Sequence, residues 1–234
     1  MTKDSISENI EEYLEVLYRN GSNKEPVSTT VFSKELGIAP GSVTQMLKKL
    51  GDLDYVEYVP YKGASLTDKG MRIAQKITRK HRILEKFLTD ILKIKKENVH
   101  EQACEMEHSL SDEAERALCF MLDHPDACPD KKIIPACNFD FNNCNDCFSE
   151  SDFDNVLRRV SNLLAISEIT SASNGVVSFI RGDNNLVNQI NQLGIDIGTK
   201  IEFNKNNNDS ISVYVDDKEI DLNNDFANNI FVKI

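Results

Sequence analysis

Apolar residues recur at helical spacing through the first half of the chain and alternate through much of the second. Ile6, Ile10, Tyr13, Leu14, Leu17 and Tyr18 share one face of a helix predicted over residues 5–19, which Asn20-Gly21 end. Residues 28–37 predict a short helix with Val31, Phe32 and Leu36 inward and Gly37 at its end. Pro40, Gly41 and Ser42 open the next helix, with a buried stripe of Val43, Met46, Leu47 and Leu50 and a stop at Gly51. Two short helices a few residues apart, the second polar on one face, make the pattern of a helix-turn-helix. Tyr55 to Val59 alternates as a strand, Tyr61-Lys62-Gly63-Ala64 turns, and Ser65-Leu66-Thr67 returns. A hairpin directly after the second helix is what a winged helix-turn-helix needs. On that reading Ser42, Thr44 and Gln45 meet bases or phosphates, while Lys48 and Lys62 neutralise phosphates.

Residues 67–92 predict one long basic helix begun by Thr67-Asp68. Residues 97–122 predict another, with an interior stripe at Val99, Ala103, Met106, Leu110, Ala114, Ala117 and Leu118. Two long helices in succession suit a dimer interface, which a reader of symmetric DNA commonly needs. Residues 123–151 then lose periodicity. From about 158 onward VVSFI, KIEFN, ISVYV and IFVKI read as strands, with turns at Ser173-Asn174-Gly175, Gly194, Gly198 and the Asn-rich NKNNNDS, and with one helix, NLVNQINQL.

The net charge of −11 argues against a nonspecific nucleic-acid binder. That charge is uneven: residues 1–125 carry 18 Lys and Arg against 21 Asp and Glu, and residues 126–234 carry 9 against 17. An acidic back half leaves room for DNA binding by the front half. No apolar run approaches the roughly 20 residues of a membrane helix, and the N-terminus has no apolar signal core, so a cytoplasmic protein without a membrane partner is expected. In a reducing compartment the six cysteines are expected as thiols or metal ligands.

The segment NVHEQACEMEH, residues 98–108, concentrates metal-ligand side chains. At about 100° per residue, His100, Cys104, Glu107 and His108 fall within a sector of roughly 100°. Glu105 falls outside that sector, and Met106 is predicted to face the core. The preceding helix offers His81 and Glu85 at i, i+4, and Glu12 and Glu15 on the first helix could complete a site. Imidazole and carboxylate suit Mn2+ or Fe2+, and a thiolate shifts preference toward Fe2+, Co2+, Ni2+ or Zn2+. A second candidate lies in HPDACPDKKIIPACNFDFNNCNDCFSE, where Cys128, Cys137, Cys144 and Cys147 occupy 20 residues and the last two form a Cys-x-x-Cys. These thiols could hold a structural Zn2+ or an iron–sulfur cluster, or remain free redox thiols.

RKHRILEKFLTDIL (79–92) and NVHEQACEMEHSLSDEAE (98–115) resemble the diphtheria-toxin-repressor, or iron-dependent repressor, family of metalloregulators. The resemblance covers residues 5–122, and residues 158–234 are similar to that family's SH3-like, or FeoA-like, module. It implies an α+β multidomain chain: a winged helix-turn-helix over 1–70, a helical metal-binding and dimerisation domain over 71–125, a Cys-rich linker over 126–155, and a small SH3-like β-barrel over 156–234. It also implies two metal positions, an ancillary one at His81, Glu85 and His100 and an activating one at Cys104, Glu107, His108 and Glu12. The chain departs from the family at Glu12, where iron-type members carry methionine and manganese-type members aspartate. Ser178 and Arg181 stand near the positions from which some relatives lend a Glu and a Gln to the ancillary site. The implied function is a non-enzymatic repressor of metal-uptake genes that binds a palindromic double-stranded operator as a homodimer, with Fe2+ or Mn2+ as co-repressor. A redox- or cluster-sensing DNA-binding regulator using the cysteine segment and a helical-bundle metalloprotein stay open as alternatives.

Overall fold

A computed structural model describes residues 7–21, 26–150, 156–169, 173–205 and 211–234. Ile6 and residues 206–210 of the Asn-rich turn lie outside them. The chain divides into two compact units, Met1–Thr78 and Arg79–Ile234. Among the described residues no helix is long and apolar enough to cross a membrane.

The first unit begins with α1 (Glu8–Asn20), which buries Tyr13, Leu14, Val16 and Leu17. Next come α2 (Thr29–Leu36) and α3 (Pro40–Asp52). Gly37 ends α2 in the left-handed region at φ 66°, and Pro40 opens α3 at a position where no amide hydrogen is needed. Tyr13 stacks on the fully buried Phe32 at 5.5 Å, and Val43, Leu47 and Leu50 close the core from α3. Strands β1 (Val56–Val59) and β2 (Gly63–Leu66) pair antiparallel, Val56 opposite Leu66. Val27 exchanges both backbone hydrogen bonds with Ala64, adding a third short arm. Gly63, at φ 119°, permits this approach, because a Cβ there would stand 2.1 Å from the Val27 carbonyl oxygen.

Helix α4 (Asp68–Asp90) carries the chain into the second unit. The single helix expected over 97–122 is instead two, α5 (Lys96–Glu107) and α6 (Asp112–Met121). The break has a local cause. Ser111 accepts a hydrogen bond from the Ala114 amide at 3.1 Å, and Asp112, Glu113 and Glu115 crowd the first turn of α6, where the helix dipole favours acids. Leu84, Leu88, Val99 and Ala103 form the core between α4 and α5, flanked by Leu110 and Leu118. The expected inward stripe fails at Met106, which is 41% exposed, and at Ala117, also exposed. The buried side of α6 is instead polar: Glu115 pairs with Arg79 at 2.6 Å.

Residues 126–150 are packed. Phe139, Cys137 and Cys144 share a core with Leu163, Phe179 and Phe231, and α7 (Cys144–Ser149) starts at Asn143, whose side chain accepts from the amides of Asn145 and Asp146. The C-terminal sheet runs β3 (Leu164–Ala165), β8 (Ile230–Lys233), β4 (Asn174–Ile180), β5 (Lys200–Lys205), β6 (Ile211–Val215) and β7 (Lys218–Leu222), antiparallel throughout. Helix α8 (Asn184–Gln192) lies between β4 and β5 in sequence and buries Ile190, and the short α9 (Asn224–Ala227) precedes β8. The barrel expected here is not closed. Among the described residues β3 and β7 are edges with one partner each, and β3 has only two residues to pair. Strand β7 follows a tight turn at Asp216-Asp217, both with positive φ as such hairpins require.

Candidate metal centre and DNA-reading surface

Helices α4 and α5 bring the predicted donors of the second unit into one continuous cluster. His81, His100 and Cys104 place their ligand atoms within 4.8 Å of one another. His81 is the hub. Its Nε2 stands 3.1 Å from His100 Nδ1 and 3.1 Å from Glu85 Oε1, while its Nδ1 stands 2.5 Å from Glu107 Oε2 and 3.9 Å from Cys104 Sγ. His108, at the C-terminal cap of α5, reaches Glu107 Oε1 at 3.5 Å. The cluster follows from local order: His81 and Glu85 share one face of α4, and His100, Cys104 and Glu107 recur at i, i+4, i+7 on α5. The break after Glu107 then turns His108 as a cap rather than as a further helical position.

The electrostatics prepare this cluster for a cation. Burial alone would raise the Glu85 carboxyl, but hydrogen bonds from His100 and His81 hold it well below the usual carboxylate range. Hydrogen bonds to Cys104 and Glu85 raise His100 to about 9 against the opposing effect of burial. Burial also works to raise the Cys104 thiol, yet contacts with His100 and His81 bring it below its ordinary value. With no metal the negative groups are therefore shared by protons on imidazole, the charge a divalent cation would replace. A set of two imidazoles, one thiol and flanking carboxylates fits a borderline divalent transition metal.

Glu12 is carried by α1 of the first unit and is exposed, whereas Glu15 on the same helix is buried. Arg181 is buried and donates to the carbonyls of Pro125, Asp126 and Ile134, so it ties the segment after α6 to the sheet. Ser178 hydrogen-bonds the Val176 carbonyl.

The four cysteines expected together are separated. Cys137, Cys144 and Cys147 line a cavity of about 390 Å³, whereas Cys128 contacts Glu85 at the edge of the donor cluster. The fourth thiol on the cavity is Cys119 of α6, which sequence reasoning passed over; it lies one helical turn after Glu115, on the same face. Burial pushes the Cys147 thiol up to about 11, a poor setting for a free reactive thiolate. Burial chiefly, and Arg79 nearby, bring Arg181 down to about 10.

On the first unit Ser42, Gln45 and Lys48 are exposed on α3 and Lys62 is exposed in the hairpin turn. Thr44 is half-buried, and its hydroxyl donates back to the Pro40 carbonyl at 3.0 Å, leaving only its lone pairs for a partner. Tyr61, fully exposed at the hairpin tip, was not predicted as a contact.

Residues 5–64 match the description "Iron dependent repressor, N-terminal DNA binding domain", and residues 67–136 match "Iron dependent repressor, metal binding and dimerisation domain". Residues 164–234 match the FeoA domain. An uncharacterised HTH-type transcriptional regulator of Methanocaldococcus jannaschii is 45% identical over 118 residues, 50% of this chain and 94% of its own length. The chain belongs to the iron-dependent repressor family. It is a metal-dependent transcriptional repressor, not an enzyme. Another family relative, MntR of Oceanobacillus iheyensis, is 33% identical over 44% of this chain and 69% of its own length. Among solved structures, the manganese regulator SloR has a TM-score of 0.51 at 22% identity, covering 97% of this chain and 99% of that one, a likeness of fold.

Proposed function

We propose that Fe2+, in preference to Mn2+, is the co-repressor, and that the loaded homodimer binds a palindromic operator upstream of metal-uptake genes. The observation that carries this reading is the donor cluster around His81, in which Cys104 stands 3.9 Å from both His81 Nδ1 and His100 Nε2. A thiol between two imidazoles favours Fe2+ over the harder Mn2+. The ancillary group is His81, Glu85 and His100; the activating group is Cys104, Glu107 and His108, with Glu12 as its further carboxylate. A bound divalent cation supplies the positive charge that lets these acids share one space.

The chain's own residues do the rest. With His81 Nε2 turned toward His100 and Glu85, its Nδ1–H donates to Glu107, so the two groups are coupled through a single ring. Ser42, Gln45 and Lys48 of α3 meet the major groove, Thr44 accepts there, and Lys62 meets the phosphate backbone. Apolar side chains left about half exposed at Ile91, Leu92, Phe120 and Met121 support a protein partner such as a second copy. Affinity for DNA rises only as far as metal favours the DNA-competent arrangement.

The test is anaerobic fluorescence anisotropy with DNA from the gene's own upstream region, under chelator, Fe2+, Mn2+ and Zn2+. Fe2+ should raise affinity most, and Glu12→Ala should lose that response while keeping its helical content. A larger gain with Mn2+ would reverse the metal preference, and equal binding under chelator would remove the co-repressor role altogether.

A further inference from the structure

The cavity beside α6 and α7 is not used by the divalent donor cluster. We propose that Cys119, Cys137, Cys144 and Cys147 hold an iron–sulfur cluster in it.

Four thiols are the ligand number such clusters take, and here they come from three separate elements: α6, the segment around Cys137, and α7. Their spacing separates a cluster from a lone ion. A zinc ion bound to four thiolates at about 2.3 Å holds the sulfurs roughly 3.8 Å apart. Among the described residues, every group of three donor atoms within 4.8 Å of one another is built on His81, so no three of the cavity thiols converge as closely as one bound zinc ion would hold them. A cluster places an inorganic core between its thiolates and needs that width. The volume agrees: a cavity of about 150 Å³ already admits benzene, and this one is about 390 Å³.

Part of the polar lining, which also includes Glu113, Glu115 and Glu150, faces sulfur. Arg79 Nη2 donates to Cys119 Sγ at 3.1 Å, Arg116 Nε to Cys147 Sγ at 3.4 Å, and the Gly182 amide to Cys144 Sγ at 3.5 Å. Thiolate ligands make a cluster anionic, and guanidinium groups with N–H···S bonds are what offsets and tunes that charge. The buried Phe139 and Phe179 give the same walls an apolar part. Three of the four ligands also fall between residue 136, where the dimerisation-domain match ends, and residue 164, where the FeoA match begins. The site thus lies largely in the connection between those two matched domains.

Loading is ligand exchange. Each protein thiol releases its proton and bonds iron as thiolate, displacing one thiolate of a cluster donor, which takes up that proton; no electron changes hands. The full chain would be mixed under argon with a synthetic thiolate-ligated iron–sulfur cluster, desalted, and assayed for acid-labile sulfide and visible absorption. Sulfide is the deciding readout because iron also enters the His81 site. The wild-type protein should retain sulfide with a broad visible band. Cys119→Ser and Cys147→Ser should lose it several-fold, and Cys128→Ser should keep it. Far-UV circular dichroism and Mn2+ binding at the His81 site report whether each variant is folded. No sulfide in the wild-type protein, one zinc per chain displacing the cluster in a competition, or loss in Cys128→Ser with retention in Cys119→Ser would each overturn the assignment. If neither serine variant folds, the wild-type sulfide content and zinc competition still decide it.

Discussion

The donor cluster on α4 and α5 and the thiol cavity beside α6 lie in the same unit, yet they solve opposite problems. Around His81, two imidazoles and a thiol fall within 4.8 Å of one another, and neighbouring carboxylates supply the charge. Around the cavity, thiols come from three elements, and three arginines share the walls with three glutamates. Acids beside imidazoles await a cation; around the cavity thiols, N–H groups of Arg79, Arg116 and Gly182 point at sulfur. The groups aimed at the ligands, as much as the ligands themselves, separate the two. Arg79 and His81, two residues apart on α4, face one region each.

The largest effect should come from removing the buried charge of the cavity. Arg79→Ala leaves Glu115 buried and unpaired and frees the Pro135 carbonyl, at a cost of about 3–5 kcal/mol. Urea unfolding measures it; a loss below about 1 kcal/mol would mean that Glu115 finds water or takes up a proton at little cost. On the other side, His81→Ala removes the hub shared by both donor groups. Mn2+ affinity by anaerobic calorimetry should fall at least ~100-fold, since even outer partners of a ligand cost about 10- to 100-fold, whereas His124→Ala should leave it unchanged. Equal effects would erase the contrast between the regions.

Acidity sharpens the comparison further. His100 is raised to about 9, so its proton is favoured in the folded, metal-free protein. Its contribution to stability is full below the unfolded value of about 6.5 and is lost as pH rises through about 9. Metal must displace this proton, so affinity should climb about tenfold per pH unit for each proton released between about 7 and 9, then level off. A flat profile would show that His100 is not a ligand. The smallest effect belongs to the joint between the regions. Ser111→Ala removes the cap of α6 and should cost about 1 kcal/mol, a shift of roughly 2–4 °C in melting temperature. No shift would mean that packing alone holds the break.

Much of the fold was readable because its signals are local. Gly37, Pro40 and the alternation from Tyr55 to Leu66 mark a winged helix-turn-helix within one stretch of chain, and i, i+4 spacing puts donors on shared helix faces. The break at Ser111 was also written locally, in a serine followed by three acids within four positions, but an apolar stripe running through it suggested continuity. Strand β7 was missed because its turn is Asp216-Asp217, without glycine.

Sequence alone determined the elements that face and periodicity can specify: the DNA-reading unit, the two donor-bearing helices and the presence of a cysteine-rich connection. Only tertiary structure decided the partners. Proximity in sequence grouped Cys128 with the later cysteines, but packing puts it against Glu85 and brings Cys119, 18 residues before Cys137, to the cavity instead. It likewise merged two donor sets into one cluster through His81. A ligand set requires atoms to converge in space, and spacing along the chain predicts that convergence only within a single helix or strand.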